Sequence, residues 1–154
     1  MKPGRTLKAV IPGGSSVPIM TAAETNDCLL DYEGVVARGS MLGSAGMIVM
    51  DDSTDMVYQI WRLARFYAHE SCAQCTQCRE GTAWTTKILE RILAGKGKAA
   101  DLDLLLSLSE NMTGKTICVL SDSCAAPIVS GIAKFRSEFD AYLSGARQPA
   151  LAMA

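Results

Sequence analysis

Glu70-Ser-Cys-Ala-Gln-Cys-Thr-Gln-Cys-Arg-Glu-Gly81 places Cys72, Cys75 and Cys78 at a repeat of three residues. Two residues between ligands let a backbone curl around a compact inorganic core and present a thiolate to each of several corners, the arrangement that holds iron-sulfur clusters. A cube of four irons needs four thiolates, so this reading requires one more cysteine brought in by the fold. Cys118, in Thr116-Ile-Cys-Val-Leu120, is the first candidate and Cys124 the second. Zinc is the rival metal, but structural zinc sites usually draw two ligands from each of two knuckles. Three cysteines in one short run favour the cluster.

Outward from the run, the pattern is helical on both sides. Met56, Val57, Ile60, Leu63, Ala64 and Tyr67 share one stripe of a helix, with Ser53 as its expected N-cap and Asp55 in its first turn. A second helix is expected just after the run, on Trp84, Ile88, Leu89, Ile92 and Leu93, ending at Gly95 and Gly97. A third runs from Asp101 through Leu102, Leu105, Leu106, Leu108 and Met112 to Gly114. A fourth opens at Pro127, carries Ile128, Val129, Ile132 and Phe135, and continues through Phe139 to Leu143. Four amphipathic helices with short loops predict a four-helix bundle. In an up-down bundle, loops one-two and three-four lie at the same end, which brings Cys118 toward the three-cysteine run.

The first third reads as β-rich. Leu7–Ile11 is a strand, Pro12-Gly-Gly-Ser-Ser16 a turn, and Val17–Met20 extended again; Thr21 or Thr25 caps a short helix toward Leu30. A glycine-rich segment from Gly34 to Gly46 leads into Met47–Met50, expected as a buried strand that Asp51-Asp-Ser53 ends. The predicted class is therefore α+β: residues 1–52 a small β-rich domain, residues 53–144 the cluster-binding bundle, and residues 145–154 a loose tail.

Composition limits the alternatives. The chain has 154 residues, is 49% apolar and 20% charged, and carries a net charge of −1. That balance gives no electrostatic case for nucleic acid or an anionic membrane surface. No apolar run approaches the roughly 20 residues of a membrane span, so no direct membrane insertion is expected. Met1-Lys-Pro-Gly-Arg5 lacks an apolar stretch after its charge, which argues against a secretory signal and against reading the six cysteines as three disulfides. Gly13-Gly-Ser-Ser16 lacks the lysine and spacing of a phosphate loop and reads as a turn. His69 is the only histidine and reads as a helix-end residue, with a sulfur hydrogen bond or ligation as the sharper alternative. Arg79 and Lys87 are the other candidates for positive charge near a cluster; Cys28 reads as packing.

The stretch Glu70–Thr82 resembles the cluster-binding motif of the flavoprotein (F) subunit of respiratory complex I, the NADH-quinone oxidoreductase. Leu7-Lys-Ala-Val-Ile-Pro-Gly-Gly-Ser-Ser16, and Thr116–Leu120 leading to Lys134-Phe-Arg136, resemble it in the same order. The resemblance implies a soluble-ligand-binding β-grasp domain (SLBB), N-terminally incomplete here, followed by a bundle that holds one 4Fe-4S cluster on Cys72, Cys75, Cys78 and Cys118. It implies an electron-transfer module fed by FMN that NADH reduces. The glycine-rich flavin domain of the family has no counterpart in this sequence, so a C-terminal fragment unable to oxidise NADH alone is expected. The implied partners are that flavin domain and other subunits of the complex I peripheral arm, those of the twenty-four- and seventy-five-kilodalton types. The implied location is the cytoplasmic face of the inner membrane or the matrix side. NAD-linked hydrogenases and formate dehydrogenases share the module. Ala73 stands where the family commonly has glycine, Gln77 where proline is common, and no tryptophan precedes Pro127. The competing reading, of another class, is a structural or interaction module with a four-cysteine zinc site or no metal.

Overall fold

A computed structural model describes residues 3–151. The chain forms two compact units, Met1–Thr54 and Asp55–Ala154, and the class is α+β.

The first unit is built on β1 (Leu7–Ile11), whose Ala9, Val10 and Ile11 are buried. It is the central strand of three: β2 (Met20–Thr21) and β3 (Ile48–Asp51) flank it, both antiparallel, with Val10 opposite Met20 on one side and Val49 on the other. Extended structure was expected over Val17–Met20, but of these only Met20 pairs, together with Thr21; Pro18, without an N–H, cannot donate to a ladder. Thr21 caps α1 (Ala22–Thr25) in a reciprocal capping box with Glu24. The helix stops well short of Leu30, because Asn26 leaves helical geometry and Asp27 turns to φ 59°.

The glycine-rich segment hides α2 (Tyr32–Ala37), capped by Asp31, whose carboxylate accepts the Gly34 N–H at 2.6 Å. Gly34 is required by close approach: a Cβ there would lie 2.6 Å from the Leu29 carbonyl oxygen. The Gly13–Ser16 turn is likewise a packing device, since a Cβ on Gly13 would meet the Met41 carbonyl oxygen at 2.6 Å. The expectation of a buried strand at Met47–Met50 is corrected: β3 is an edge strand, and Met47, Ile48 and Val49 are exposed while Met50 is buried.

The second unit is the bundle: α3 (Met56–Glu70), α4 (Thr76–Leu93), α5 (Ala100–Met112), α6 (Leu120–Lys134) and the shorter α7 (Arg136–Leu143). Helix α3 packs on α4 and α6, α5 packs on α4 and α6, and α7 closes against α3, α4 and α6. The α3 stripe is buried on Met56, Val57, Ile60, Trp61, Ala64 and Tyr67, much as its period predicts. Its cap is Asp55 rather than Ser53; the carboxylate accepts the Tyr58 N–H at 3.1 Å.

Three expectations fail for identifiable reasons. Helix α4 begins inside the cysteine run rather than after it, with Cys75 as its N-cap residue. Ile88, Leu89, Ile92 and Leu93 are buried as expected, but Trp84 is exposed; that part of the face is a seam of Gly81, Thr82, Thr85 and Thr86, where the Thr82 and Thr86 hydroxyls donate to carbonyls one turn back at 2.7 and 2.9 Å. Helix α6 begins at Leu120, so Pro127 lies in its interior, and the chain breaks at Phe135 (φ −124°, ψ 30°) before resuming as α7. Proline at that position removes one helical donor. Phe139 and Tyr142 are buried and anchor α7.

The segment after Leu143 is not loose over the described residues. Arg147 forms ion pairs with Asp55 (3.3 Å) and Glu138 (3.1 Å), and the Ala150 N–H donates to the Leu93 carbonyl at 2.9 Å.

Candidate metal centre

The cysteine run spans the turn between α3 and α4. Ser71 ends α3 in extended geometry, and the chain then turns sharply through Ala73, at φ 64°. That conformation disfavours a residue with a Cβ by about 1 kcal/mol and is the natural place of glycine. Two bonds hold the turn. The Ser71 hydroxyl accepts the Ala73 N–H at 3.3 Å, and the Arg79 guanidinium reaches back to the Ala73 carbonyl at 2.9 Å. Arg79 also pairs with Glu80 at 2.9 Å, so it braces the loop while resting in an exposed helix-start ion pair.

Cys75 is the N-cap of α4, with no side-chain cap hydrogen bond; its carbonyl accepts the Arg79 N–H at 2.9 Å. The positive end of the dipole of an 18-residue helix therefore lies at the cysteine run, with Cys75 and Cys78 at its start. Cys78 lies within that first turn and is buried, Cys75 is half-buried, and Cys72 is exposed.

The second loop lies between α5 and α6. Gly114, at φ 68°, turns the chain out of α5, and its N–H donates to Asp122 at 2.9 Å. The Thr116 hydroxyl donates to the Cys118 carbonyl at 2.8 Å and lies 2.6 Å from the Ser121 hydroxyl. Cys118 is exposed, between exposed Ile117 and Val119.

The two loops meet at one end of the bundle. The Ile117 N–H donates to Cys75 Sγ at 3.4 Å, across 42 residues of sequence. Cys118 is therefore carried on a loop whose backbone already rests on a thiol of the run. Among the described residues, no three or more Cys, His, Asp or Glu side chains close into a finished metal cage. Donor chemistry fits an iron-sulfur core, with candidate sulfur ligands on two loops beside a helix N-terminus and an N–H directed at one of them.

Other candidates separate from the site. Cys124, on the second turn of α6, is fully buried; burial, and secondarily the neighbouring Cys78, push its thiol up to about 12. With no exposed surface, Cys124 sits in the core of the bundle as a small apolar residue does. His69 bonds its neighbour Glu70 at 3.0 Å and is highly exposed. Lys87 lies farther along α4, exposed. Cys28 is half-buried, its thiol 3.4 Å from the Leu29 carbonyl.

Ser71 and Ile117 escaped the reading of the sequence. Backbone donation by Ile117 leaves no mark in residue identity. Ser71 had a readable signal, a hydroxyl two residues before a tight turn, which commonly accepts the N–H at that spacing.

Fold and site together define a helical module that presents thiols from two loops at one end of a bundle. The profile of the NADH-ubiquinone oxidoreductase-F iron-sulfur binding region matches residues 58–142, and the chain belongs to that family. It is 48% identical over 134 residues to the F 1 subunit of NADH-quinone oxidoreductase in Rhizobium meliloti (strain 1021), covering 87% of this chain and 31% of the relative. It is also 48% identical over 145 residues to the F subunit of NADH-quinone oxidoreductase in Streptomyces coelicolor, covering 94% of this chain and 32% of the relative. The chain thus spans about a third of the length of the curated relatives it matches. Among solved structures, an NAD+-reducing [NiFe]-hydrogenase in its H2-reduced state aligns with a TM-score of 0.80 at 33% identity, over 90% of this chain and 23% of that one.

Proposed function

We propose that the bundle holds one 4Fe-4S cluster on Cys72, Cys75, Cys78 and Cys118 and serves as an electron relay of an NADH-quinone oxidoreductase. The observation that carries this is the Ile117 N–H on Cys75 Sγ, which seats the loop of the fourth cysteine on the run of the other three. Such a cluster supplies a one-electron store at the end of the bundle. The chain's own residues set its conditions. Four thiolates provide the ligands. The α4 N-terminus and the Ile117 N–H offset negative charge, and the Ser71 and Arg79 bonds fix the turn that aims Cys72 and Cys75. Residues 1–52 are read as a β-grasp domain.

In the whole enzyme, electrons arrive from an FMN reduced by NADH in a domain outside this chain. They leave toward clusters of the peripheral-arm partners, the twenty-four- and seventy-five-kilodalton types. The complex is peripheral to the inner membrane on the cytoplasmic or matrix side; no helix among the described residues is long and apolar enough to cross it.

The test is iron and acid-labile sulfide per chain after anaerobic reconstitution, with an EPR spectrum of the reduced sample. About four irons and four sulfides with a reducible signal are expected. Stoichiometric zinc in a redox-silent protein would leave a structural module instead.

A further inference from the structure

We infer that Ser71 is a positioning residue for the relay: its hydroxyl donates a hydrogen bond to the Cys78 thiolate and raises the reduction potential of the centre that Cys78 ligates. The inference rests on the cluster reading and adds a residue that is not itself a ligand.

The geometry is specific. Ser71 Oγ lies 3.4 Å from Cys78 Sγ, and the same oxygen accepts the Ala73 N–H at 3.3 Å. Direction follows from proton count. An oxygen that accepts the Ala73 N–H keeps its own proton for donation, and a ligating Cys78 is a thiolate with no proton to give. The bond must therefore run O–H to S. Cys78 is buried and Ser71 half-buried, so water competes weakly for either group.

Chain architecture fixes the pair. Ser71 is the C-cap of α3, and Cys78 stands in the first turn of α4, so one hydroxyl ties the end of one helix to the start of the next. Its bond to Ala73 also holds the left-handed turn that aims Cys72 and Cys75. A hydrogen bond to a ligand sulfur stabilises the more negative, reduced state more than the oxidised one, which moves the potential upward. Ser71 thus favours electron acceptance at this centre.

The experiment is potentiometric titration, followed by EPR, of the reconstituted chain beside Ser71→Ala, Ser71→Thr and Ser71→Val, with iron measured in each. Threonine and valine match in shape and differ in the hydroxyl. The expected result is a lower potential in the alanine and valine variants, with threonine near the parent. Equal potentials in all four, or a threonine shift as large as that of valine, would overturn the inference while leaving the cluster reading intact. If alanine and valine fail to retain iron while threonine retains it, the hydroxyl is shown to hold the site; loss in all three overturns its role. A parent chain that takes up no iron overturns both readings.

Discussion

The two ends of the bundle differ in how far their side chains are tied down. At the end where α3 begins, partners come from within the chain. Asp55 caps α3, accepts the Tyr142 hydroxyl at 2.6 Å and pairs with Arg147, which also pairs with Glu138; Glu138 in turn accepts the Met56 N–H at 3.2 Å. Asp101, buried, receives the Arg91 guanidinium and the Lys98 N–H at 2.8 Å. At the cysteine end, α4 starts without a side-chain cap, Cys72 and Cys118 are exposed, and Ile117 and Val119 stand in solvent at 84% and 74% exposure. One end is stabilised by the chain itself. The other leaves Cys72 and Cys118 exposed, as the proposed cluster requires.

That contrast predicts that stability and cluster binding respond to different residues. The largest effect on stability is expected from Asp55→Ala. It removes a helix cap, worth about 1 kcal/mol, and strands the Tyr142 hydroxyl and Arg147, for a total of about 3 kcal/mol. Urea unfolding would read this loss, with iron per chain unchanged below the transition. Loss of iron in the folded variant would show that the ends are not independent.

Asp101→Asn follows, at about 2 kcal/mol near neutral pH. Burial pushes the Asp101 carboxyl up, but the bonds from Arg91 and the Lys98 N–H outweigh it and hold the group below its usual range. A pKa lowered by folding gives stability that is complete above the unfolded value, about 3.9, and is lost as pH falls through the lower folded one. The difference between parent and variant should therefore hold from about pH 7 to 5 and shrink below about pH 4. A difference that grew on acidification would refute the ion-pair account.

The smallest effect is a gain. Ala73→Gly relieves the left-handed turn at φ 64° and should stabilise the chain by about 0.5 kcal/mol after the added freedom of the unfolded state. A destabilised variant would mean that the Ala73 methyl group packs usefully in the cysteine loop.

The bundle was legible because its signal is periodic: the α3 stripe and the α5 leucines give the faces that pack, and the alternation of long helices and short loops gives the order. Elements governed by single contacts were not. Asp31 and Gly34 make α2 through one cap and one close approach, and β3 reads as a buried strand by composition while lying at a sheet edge. Trp84 misled for the opposite reason: α4 approaches α5 closely at Gly81, where a Cβ would lie 2.5 Å from Met112 Sδ, so threonines and glycine take the face that bulk would suggest. At the site, the cysteines stood out by spacing, but the interlocking of their loops depends on the backbone N–H of Ile117, which any residue but proline supplies.

The central claim is that the loop carrying Cys118, rather than the nearby buried Cys124, completes the ligand set. Iron per chain in Cys118→Ala and Cys124→Ala, each reconstituted beside the parent, tests it most directly. Cys118→Ala is expected to fall well below the parent's roughly four irons while Cys124→Ala keeps them. Retention of four irons in Cys118→Ala, with loss in Cys124→Ala, would contradict the account.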